Sequence, residues 1–314
     1  MTVLHPIRLT FALVLLFTGA RAQQPEIFLP GLVSTGLNER DMAIAPDGKE
    51  MYYSIQSQRA GVSVIVQRTW NGKGWGEARV ADFSGQFEDV EPAFHPDGSR
   101  LYFVSNRPIS SGRPSKDYNI WYVHIKRPGP VTAVYAGDEI NSIADEYYPS
   151  VARDGSVYFT AARPDARGKE DLYRSKWVNN KFESPVNLGD SINSSLDEFN
   201  AFVDPDQRYI ILGIENGPGD QGRGDLYISY HQPSGSWSKS VNLGPKINSS
   251  RLDYCPFVFD GYLYFTSERP VDFPHKEKVD LKKVRNFLES WGNGSGDIYR
   301  IKSEGLIEQN RWTH

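Results

Sequence analysis

The chain has 314 residues, of which 24% are charged and 13% aromatic, and its formal net charge is −4. Because the slight acidic excess comes without any basic stripe, the composition disfavours a nucleic-acid partner. The single cysteine, Cys255, excludes an intrachain disulfide framework. Packed secondary structure therefore has to stabilise the fold.

The first residues have the pattern of a cleaved export signal. A basic start precedes an apolar run over residues 9–17, and Ala20 and Ala22 supply the small residues that a signal peptidase reads. The alternative, a membrane anchor, needs about 20 apolar residues, and this run is shorter. We therefore predict a signal peptide over residues 1–22, a single mature domain over residues 23–314, and a periplasmic or secreted protein.

A tight turn recurs along the chain at near-constant intervals. Its aspartates are Asp47, Asp97, Asp154, Asp206 and Asp260. A self-similar period of about fifty residues is typical of β-propeller blades or solenoid units. Segments rich in Tyr, Phe, Val and Leu flank each turn, as in 87–98 and 101–108. Each unit therefore begins with two strands joined by this turn.

Two further strands complete each unit. The third starts at an acidic or amide residue, namely Asn119, Asp171, Asp225 or Asp297. The fourth is clearest in the near-duplicate segments 184–189 and 239–244. Four antiparallel strands make one propeller blade, so we predict an all-β propeller of five blades, with six as the alternative.

The last unit lacks its own fourth strand, because the chain ends soon after its third strand. Residues 26–33 offer a spare strand just before the first unit. We expect this amino-terminal strand to close the ring in the last blade, which removes the open sheet edges.

These repeats resemble a known family. The Pro-Asp-Gly turn, the Leu-Tyr-Phe-x-Ser-x-Arg-Pro segment at 101–108, Gly-Asp-Ile-Tyr at 296–299 and Pro-Val-Asn-Leu-Gly at 185–189 are similar to WD40-like PD40 repeats of TolB-type propellers. The resemblance implies a bacterial envelope protein that binds other proteins or cell-wall components. This sequence contains neither the α/β domain that precedes the propeller in TolB nor a peptidoglycan-binding domain.

Charged residues recur where each blade begins and after its second strand. The entry acids are Glu39, Asp89, Glu146, Glu198 and Asp253, and the arginines are Arg107, Arg163 and Arg269. Antiparallel pairing places both sets on one face. The acids could form a ring that binds a partner's basic groups or a Ca²⁺ ion at the central axis. Alternatively, each acid caps its own turn or pairs with an arginine of its own or the adjacent blade, as a repeated structural clasp.

An insertion over residues 271–296 breaks the repeat in the last unit. Apolar residues spaced by three and four predict a short helix over about 280–290. This helix is either a lid or partner-docking element, or it packs its apolar side on the rim of its own propeller.

Catalytic motifs are scarce, because the chain has no Gly-x-Ser-x-Gly elbow and its histidines lack metal-ligand spacing. We favour an exported, non-enzymatic binding propeller. The alternative is a glycoside hydrolase or polysaccharide lyase, with Glu91, Glu146 and Glu198 as candidate carboxylates. A deep pocket with an asymmetric carboxylate pair and aromatic platforms would favour the enzyme, and a narrow symmetric axis would favour binding.

Overall fold

Five four-stranded antiparallel sheets follow one another along the chain. The computed structural model describes residues 23–57, 59, 61–110, 117–125, 129–273 and 278–309. The innermost strand of each sheet contacts the innermost strand of the next, and the fifth contacts the first. The chain therefore forms a five-bladed propeller, which confirms the prediction made from the repeats and from the PD40/TolB-type resemblance.

In the first four blades the strands run from the axis outwards in chain order, and in the fifth the amino-terminal strand takes the outermost place. The innermost strands are β2 (Glu39–Ile44), β6 (Asp89–Phe94), β10 (Glu146–Val151), β16 (Asp197–Val203) and β20 (Asp253–Phe259). The second strands are β3 (Glu50–Ser57), β7 (Arg100–Ser105), β11 (Val157–Ala161), β17 (Tyr209–Glu215) and β21 (Tyr262–Ser267). The third strands are β4 (Val62–Thr69), β8 (Asn119–His124), β12 (Asp171–Ser175), β18 (Asp225–Tyr230) and β22 (Asp297–Lys302).

The outermost strands are only two residues long, shorter than the sequence segments that predicted them. They are β5 (Arg79–Val80), β9 (Val134–Tyr135), β15 (Val186–Asn187), β19 (Val241–Asn242) and β1 (Glu26–Ile27). A small hairpin of β13 (Trp177–Val178) and β14 (Lys181–Phe182) precedes β15 in the third blade.

The amino-terminal strand closes the ring as predicted. Strand β1 pairs antiparallel with β22, with Glu26 opposite Arg300 and Ile27 opposite Tyr299. Beyond it, the backbone N–H of Phe28 donates to the carbonyl of Ile298 at 2.8 Å. The chain then turns away, so only the start of the predicted segment 26–33 is strand.

The recurring turns join the first and second strands at the opposite end from the entry acids. In the second blade, the backbone N–H of Gly98 donates to the carbonyl of His95 at 2.8 Å, and Gly98 has φ +71°. Glycine adopts this left-handed conformation without a Cβ clash. The fourth blade has Gln207 at this position, with φ +56°.

Apolar side chains fill the junctions between neighbouring blades. Tyr52 and Ile65 of the first blade pack with Leu101 and Phe103 of the second, for example. Each blade buries one face against the next, which is why the repeat needs a closed ring to be stable.

Within the described residues, two helices lie outside the blades: α1 (Leu281–Leu288) and α2 (Leu306–Gln309). Helix α1 confirms the helix predicted in the insertion. No helix within the described ranges is both long and apolar enough to cross a membrane. The predicted signal peptide, residues 1–22, lies outside the described residues.

Candidate functional site

The five entry acids are buried at the blade junctions. Asp89, Glu146, Glu198 and Asp253 are 0% exposed and Glu39 is 1% exposed. Each accepts a hydrogen bond from a serine or threonine hydroxyl in the loop that precedes its strand. The pairs are Thr35–Glu39, Ser84–Asp89, Ser142–Glu146, Ser194–Glu198 and Ser249–Asp253. These contacts fix the loop that enters each blade.

Three of the acids also pair with the predicted arginines. Arg107 donates to Asp89 at 2.6 Å, Arg163 to Glu146 at 3.1 Å, and Arg269 to Asp253 at 2.5 Å. Each guanidinium also lies over aromatic rings of its own blade. The geometry matches the structural alternative: an entry-loop hydroxyl holds each acid, and an arginine joins it for Asp89, Glu146 and Asp253. We call each of these arrangements, with or without the arginine, a clasp.

The structure does not gather the entry acids around the axis. Each acid lies in its own clasp, where burial removes the carboxylate from contact with a surface ligand. Burial raises the pKa of Glu146 to about 7 in spite of its arginine. Among the described residues, no group of three or more His, Cys, Asp or Glu side chains is arranged to hold a metal ion. The calcium site stays a prediction.

The axis itself is lined by a different residue of each innermost strand. Each of these strands has a β-bulge two residues after its entry acid, where the residue adopts a left-handed backbone conformation. The bulge residues are Asp41 (φ 58°), Glu91 (φ 60°), Tyr148 (φ 51°), Asn200 (φ 46°) and Cys255 (φ 52°). A non-glycine residue in this region costs about 1 kcal/mol or more, so the bulges are held by their surroundings.

The bulge residues and Arg40 contact one another across the axis, and we call these six residues the axial cluster. The Cys255 thiol donates to Asp41 Oδ1 at 2.7 Å. Arg40 donates to Asp41 at 2.7 Å and to Glu91 at 2.9 Å. The Tyr148 backbone N–H donates to Glu91 Oε2 at 2.6 Å. The Tyr148 hydroxyl also donates to the Pro256 carbonyl at 2.9 Å, which joins the third blade to the fifth, so the cluster lies across the central channel.

The axial cluster has two carboxyl groups and one guanidinium. Burial, together with the charge of Asp41, raises the pKa of Glu91 to about 8. Burial also raises the pKa of the Cys255 thiol well above its usual value, so the thiol remains protonated and donates to Asp41. One proton on Glu91 would leave the cluster neutral, with Arg40 balancing Asp41.

A cavity of about 660 Å³ opens above the axial cluster on the face of the entry loops, and we call it the axial pocket. Arg40, Glu91 and Asn200 form its floor. Its walls carry further acids and aromatic rings, namely Glu88, Glu170, Asp197, Glu215, Tyr118, Tyr147 and Phe199. Gln56, near the end of the second strand of the first blade, also lines the pocket and accepts from Arg40 at 3.0 Å.

Four of the five carboxyl groups in this pocket already have partners. Glu91 binds Arg40, Glu88 accepts from the Tyr118 hydroxyl, and Asp197 and Glu215 pair with Lys169 at 3.3 Å and 3.0 Å. Glu170 has no side-chain hydrogen bond or ion pair within the part of the chain that the structure describes. Burial and the charge of Asp197 raise its pKa to about 7.

The opposite end of the axis is apolar. A cavity of about 240 Å³ is lined there by proline and phenylalanine side chains next to the recurring turns, including Pro96, Phe94 and Phe257. Glu91 and Tyr148 close it from above. The two ends therefore differ in chemistry, and the polar groups that could bind a charged ligand lie on the entry face.

Sequence reasoning selected the entry acids and missed most of the axial cluster. Of the three carboxyl groups that the sequence suggested for an enzyme, only Glu91 belongs to the axial cluster. Glu146 and Glu198 lie in clasps. A signal was present, since the residue two positions after each entry acid differs from blade to blade, whereas the entry position itself is an acid in every blade. Variation at one position of a repeat marks a site that the scaffold alone does not determine.

No family model matches the sequence, and no curated protein matches it. Several solved structures are similar in fold. One is described as an RGII complex, with 8% identity, a TM-score of 0.53, and coverage of 89% of this protein and 92% of that one. Another is described as a glycoside hydrolase, with 8% identity, a TM-score of 0.51, and coverage of 88% and 92%.

TolB from Acinetobacter baumannii matches with 13% identity and a TM-score of 0.45, over 84% of this protein and 54% of that one. The present chain thus spans about half the length of that TolB. At such identities the likenesses concern the fold alone, which is a β-propeller built from four-stranded repeats.

Proposed function

We propose that this protein is an exported, non-catalytic binding propeller and that its axial pocket receives a cationic group of a protein or cell-envelope ligand. Export rests on the signal pattern of residues 1–22. In this proposal the entry acids and arginines act indirectly, because their clasps hold the loops that shape the pocket.

The observation that carries the proposal is the unpaired carboxyl of Glu170 beside aromatic rings in a recessed pocket. Tyr118, Tyr147 and Phe199 are each partly exposed there. A carboxylate attracts a cation directly, and the faces of aromatic rings add cation–π attraction when water is excluded. An ammonium or guanidinium group fits this combination.

The engagement of the other carboxyl groups favours binding over catalysis. Hydrolysis of a glycoside by two carboxyl groups requires both to reach the scissile bond. Glu91 is held by Arg40 and Tyr148, while Asp197 and Glu215 share Lys169. Only Glu170 is left without such a contact among the described side chains lining the pocket.

A second candidate function is the cleavage of a carbohydrate. It is favoured by two carboxyl groups with raised pKa values, about 8 for Glu91 and about 7 for Glu170, in one pocket with aromatic walls. Unequal environments of this kind separate the pKa values of two carboxyl groups, so that one can act as the acid and the other as the base. Release of new reducing ends from a glycan by the wild type but not by Glu170→Gln would favour this candidate.

Binding of a lysine pentapeptide, measured by titration calorimetry, tests the first proposal. We expect the peptide to bind, and its fully acetylated form to bind at least about tenfold more weakly because acetylation removes the charges. Glu170→Gln should lower the affinity by a similar factor. The matched control is Glu77→Gln, an exposed acid remote from the pocket, which should leave the affinity unchanged.

The pH dependence has a definite sign. A cation favours the ionised form of Glu170, whose pKa is about 7, so the affinity should rise between pH 6 and pH 8. This rise should be smaller in Glu170→Gln, where only Glu91, with a pKa of about 8, still ionises in the pocket over that range. Equal binding of the native and acetylated peptides would overturn the proposal.

A further inference from the structure

The insertion presents an exposed amphipathic helix. Helix α1 begins after Asp280, whose side chain accepts from the Lys283 backbone N–H at 2.8 Å and caps the helix. Leu281, Val284 and Leu288 lie on one side at spacings of three and four residues. The helix is therefore capped at its start and has one apolar side.

The two leucines of α1 do not pack on the propeller, while the Phe287 ring contacts Phe273 of the same insertion at 4.7 Å between centroids. Leu281 is 70% exposed and Leu288 is 57% exposed, and the helix contains no buried residue. Trp291, just beyond its end, is 36% exposed. These exposures do not fit the alternative in which the helix packs its apolar side on the rim of its own propeller.

The helix is attached through its carboxyl-terminal end. A Cβ placed on Gly36 would lie 2.5 Å from the Glu289 backbone, so the two segments are in close contact. The Asn293 side chain donates to the carbonyls of Gly36 at 3.1 Å and Leu288 at 2.9 Å. The attachment thus uses backbone groups and the Asn293 side chain, and it does not involve the side chains of Leu281 and Leu288.

Basic side chains accompany the apolar side. Lys282, Lys283 and Arg285 are all exposed on α1, and Lys278 is exposed just before it. On a helical projection, Arg285 and Lys283 lie beyond the two edges of the apolar side. The protein as a whole is acidic, with a formal net charge of −4, so this is a local positive region.

We propose that α1 lies on an anionic lipid surface, with Leu281, Leu288 and Trp291 entering the headgroup region and the basic residues contacting lipid phosphates. Helices that lie in a membrane interface combine leucine and tryptophan on one side with lysine and arginine around it. Anionic headgroups attract such basic residues near the surface. This inference goes beyond the proposed function of the axial pocket.

The size of the apolar side favours lipid over a folded protein partner. A stable protein interface buries about 800 Å² on each partner, which two turns of helix with three exposed apolar side chains do not supply. A lipid surface needs only shallow insertion combined with charge attraction.

Vesicle co-sedimentation tests the proposal. The purified chain, with its amino terminus identified by mass spectrometry, is mixed with vesicles of equal parts phosphatidylcholine and phosphatidylglycerol, or of phosphatidylcholine alone. We expect binding to the anionic vesicles that weakens as salt is added, and at least about tenfold weaker binding to the neutral ones.

Two variants locate the contact. The double variant Leu281→Ser, Leu288→Ser should weaken binding by about tenfold or more, since it removes two apolar side chains from the interface. Lys282→Glu with Arg285→Glu should abolish the preference for anionic vesicles. Val186→Ser is the matched control, because Val186 is 67% exposed on the third blade and should not affect binding.

Unchanged melting temperatures would show that the variants remain folded, as expected for exposed positions. Three results would each overturn the proposal: no binding to anionic vesicles, equal binding to both vesicle types, or full binding by the double leucine variant. The first of these would indicate instead that α1 binds in a groove of a protein partner.

Discussion

At the scale of single residues, Arg40 is the cation on which the axial cluster depends. It contacts both Asp41 and Glu91 and is itself largely buried. It also lies 5.2 Å from the ring centroid of Tyr254. Removal of one partner from a buried ion pair leaves a charge that neither water nor protein compensates.

We therefore expect Arg40→Met to lower the free energy of unfolding by about 3–5 kcal/mol, as measured by urea denaturation. The matched control is Arg79→Met, because Arg79 pairs with Asp82 at 2.7 Å on the surface, with side-chain exposures of 54% and 61%. Exposed pairs contribute about 0–1 kcal/mol. Equal effects of the two variants would contradict the role given to the cluster.

At the scale of elements, the two-residue strand β1 and the residues that follow it close the ring. Phe28 is 4% exposed and Val33 is 0% exposed, and both belong to the core between the last and first blades. The Phe28 ring meets Tyr264 at 5.2 Å between centroids. So the closure relies more on buried side chains than on the few hydrogen bonds of β1.

Phe28→Ala should accordingly cost about 3–5 kcal/mol of unfolding free energy, because it leaves a cavity at the blade junction. Leu37→Ala, at a position 55% exposed in the adjacent loop, should change the stability by less than about 0.5 kcal/mol. Chemical denaturation of both variants measures the difference. A Phe28→Ala protein as stable as the wild type would show that closure of the ring does not depend on this buried side chain.

For the whole molecule, buried carboxyl groups set the response to pH. Burial is the main cause of the raised pKa values of Glu91 (about 8), Glu146, Glu170 and Asp297 (about 7), and Asp225 (about 6). A raised carboxyl pKa means that the folded protein holds its proton more tightly than the unfolded chain. This stabilisation is complete below about pH 4 and is lost as the pH rises through 6 to 8.

We expect the melting temperature to fall between pH 5 and pH 8 in differential scanning calorimetry. Asp297→Asn should reduce this fall, since Asp297 is 1% exposed and its Oδ1 atom has no hydrogen-bond partner. The variant should melt a few degrees higher than the wild type at pH 8 and show a smaller difference at pH 5. A melting temperature that rises over this range would refute the assignment.

The sequence was sufficient to predict the repeats, the blade count, the closing strand and helix α1, because these depend on local periodicity and turn residues. Asp47 and its counterparts mark the turns, and the spacing of Leu281, Val284 and Leu288 marks the helix. In both cases the information lies within a few neighbouring residues.

Only the tertiary structure decided which polar residues face the axis and which are buried at the junctions. Glu146 and Tyr148 are two positions apart, yet a bulge turns Tyr148 towards the axis while Glu146 lies in a clasp. Asp41 and Cys255 are separated by 214 residues and meet only when the ring closes. The axial pocket is therefore a property of the closed ring, because each blade supplies only a part of its floor and walls.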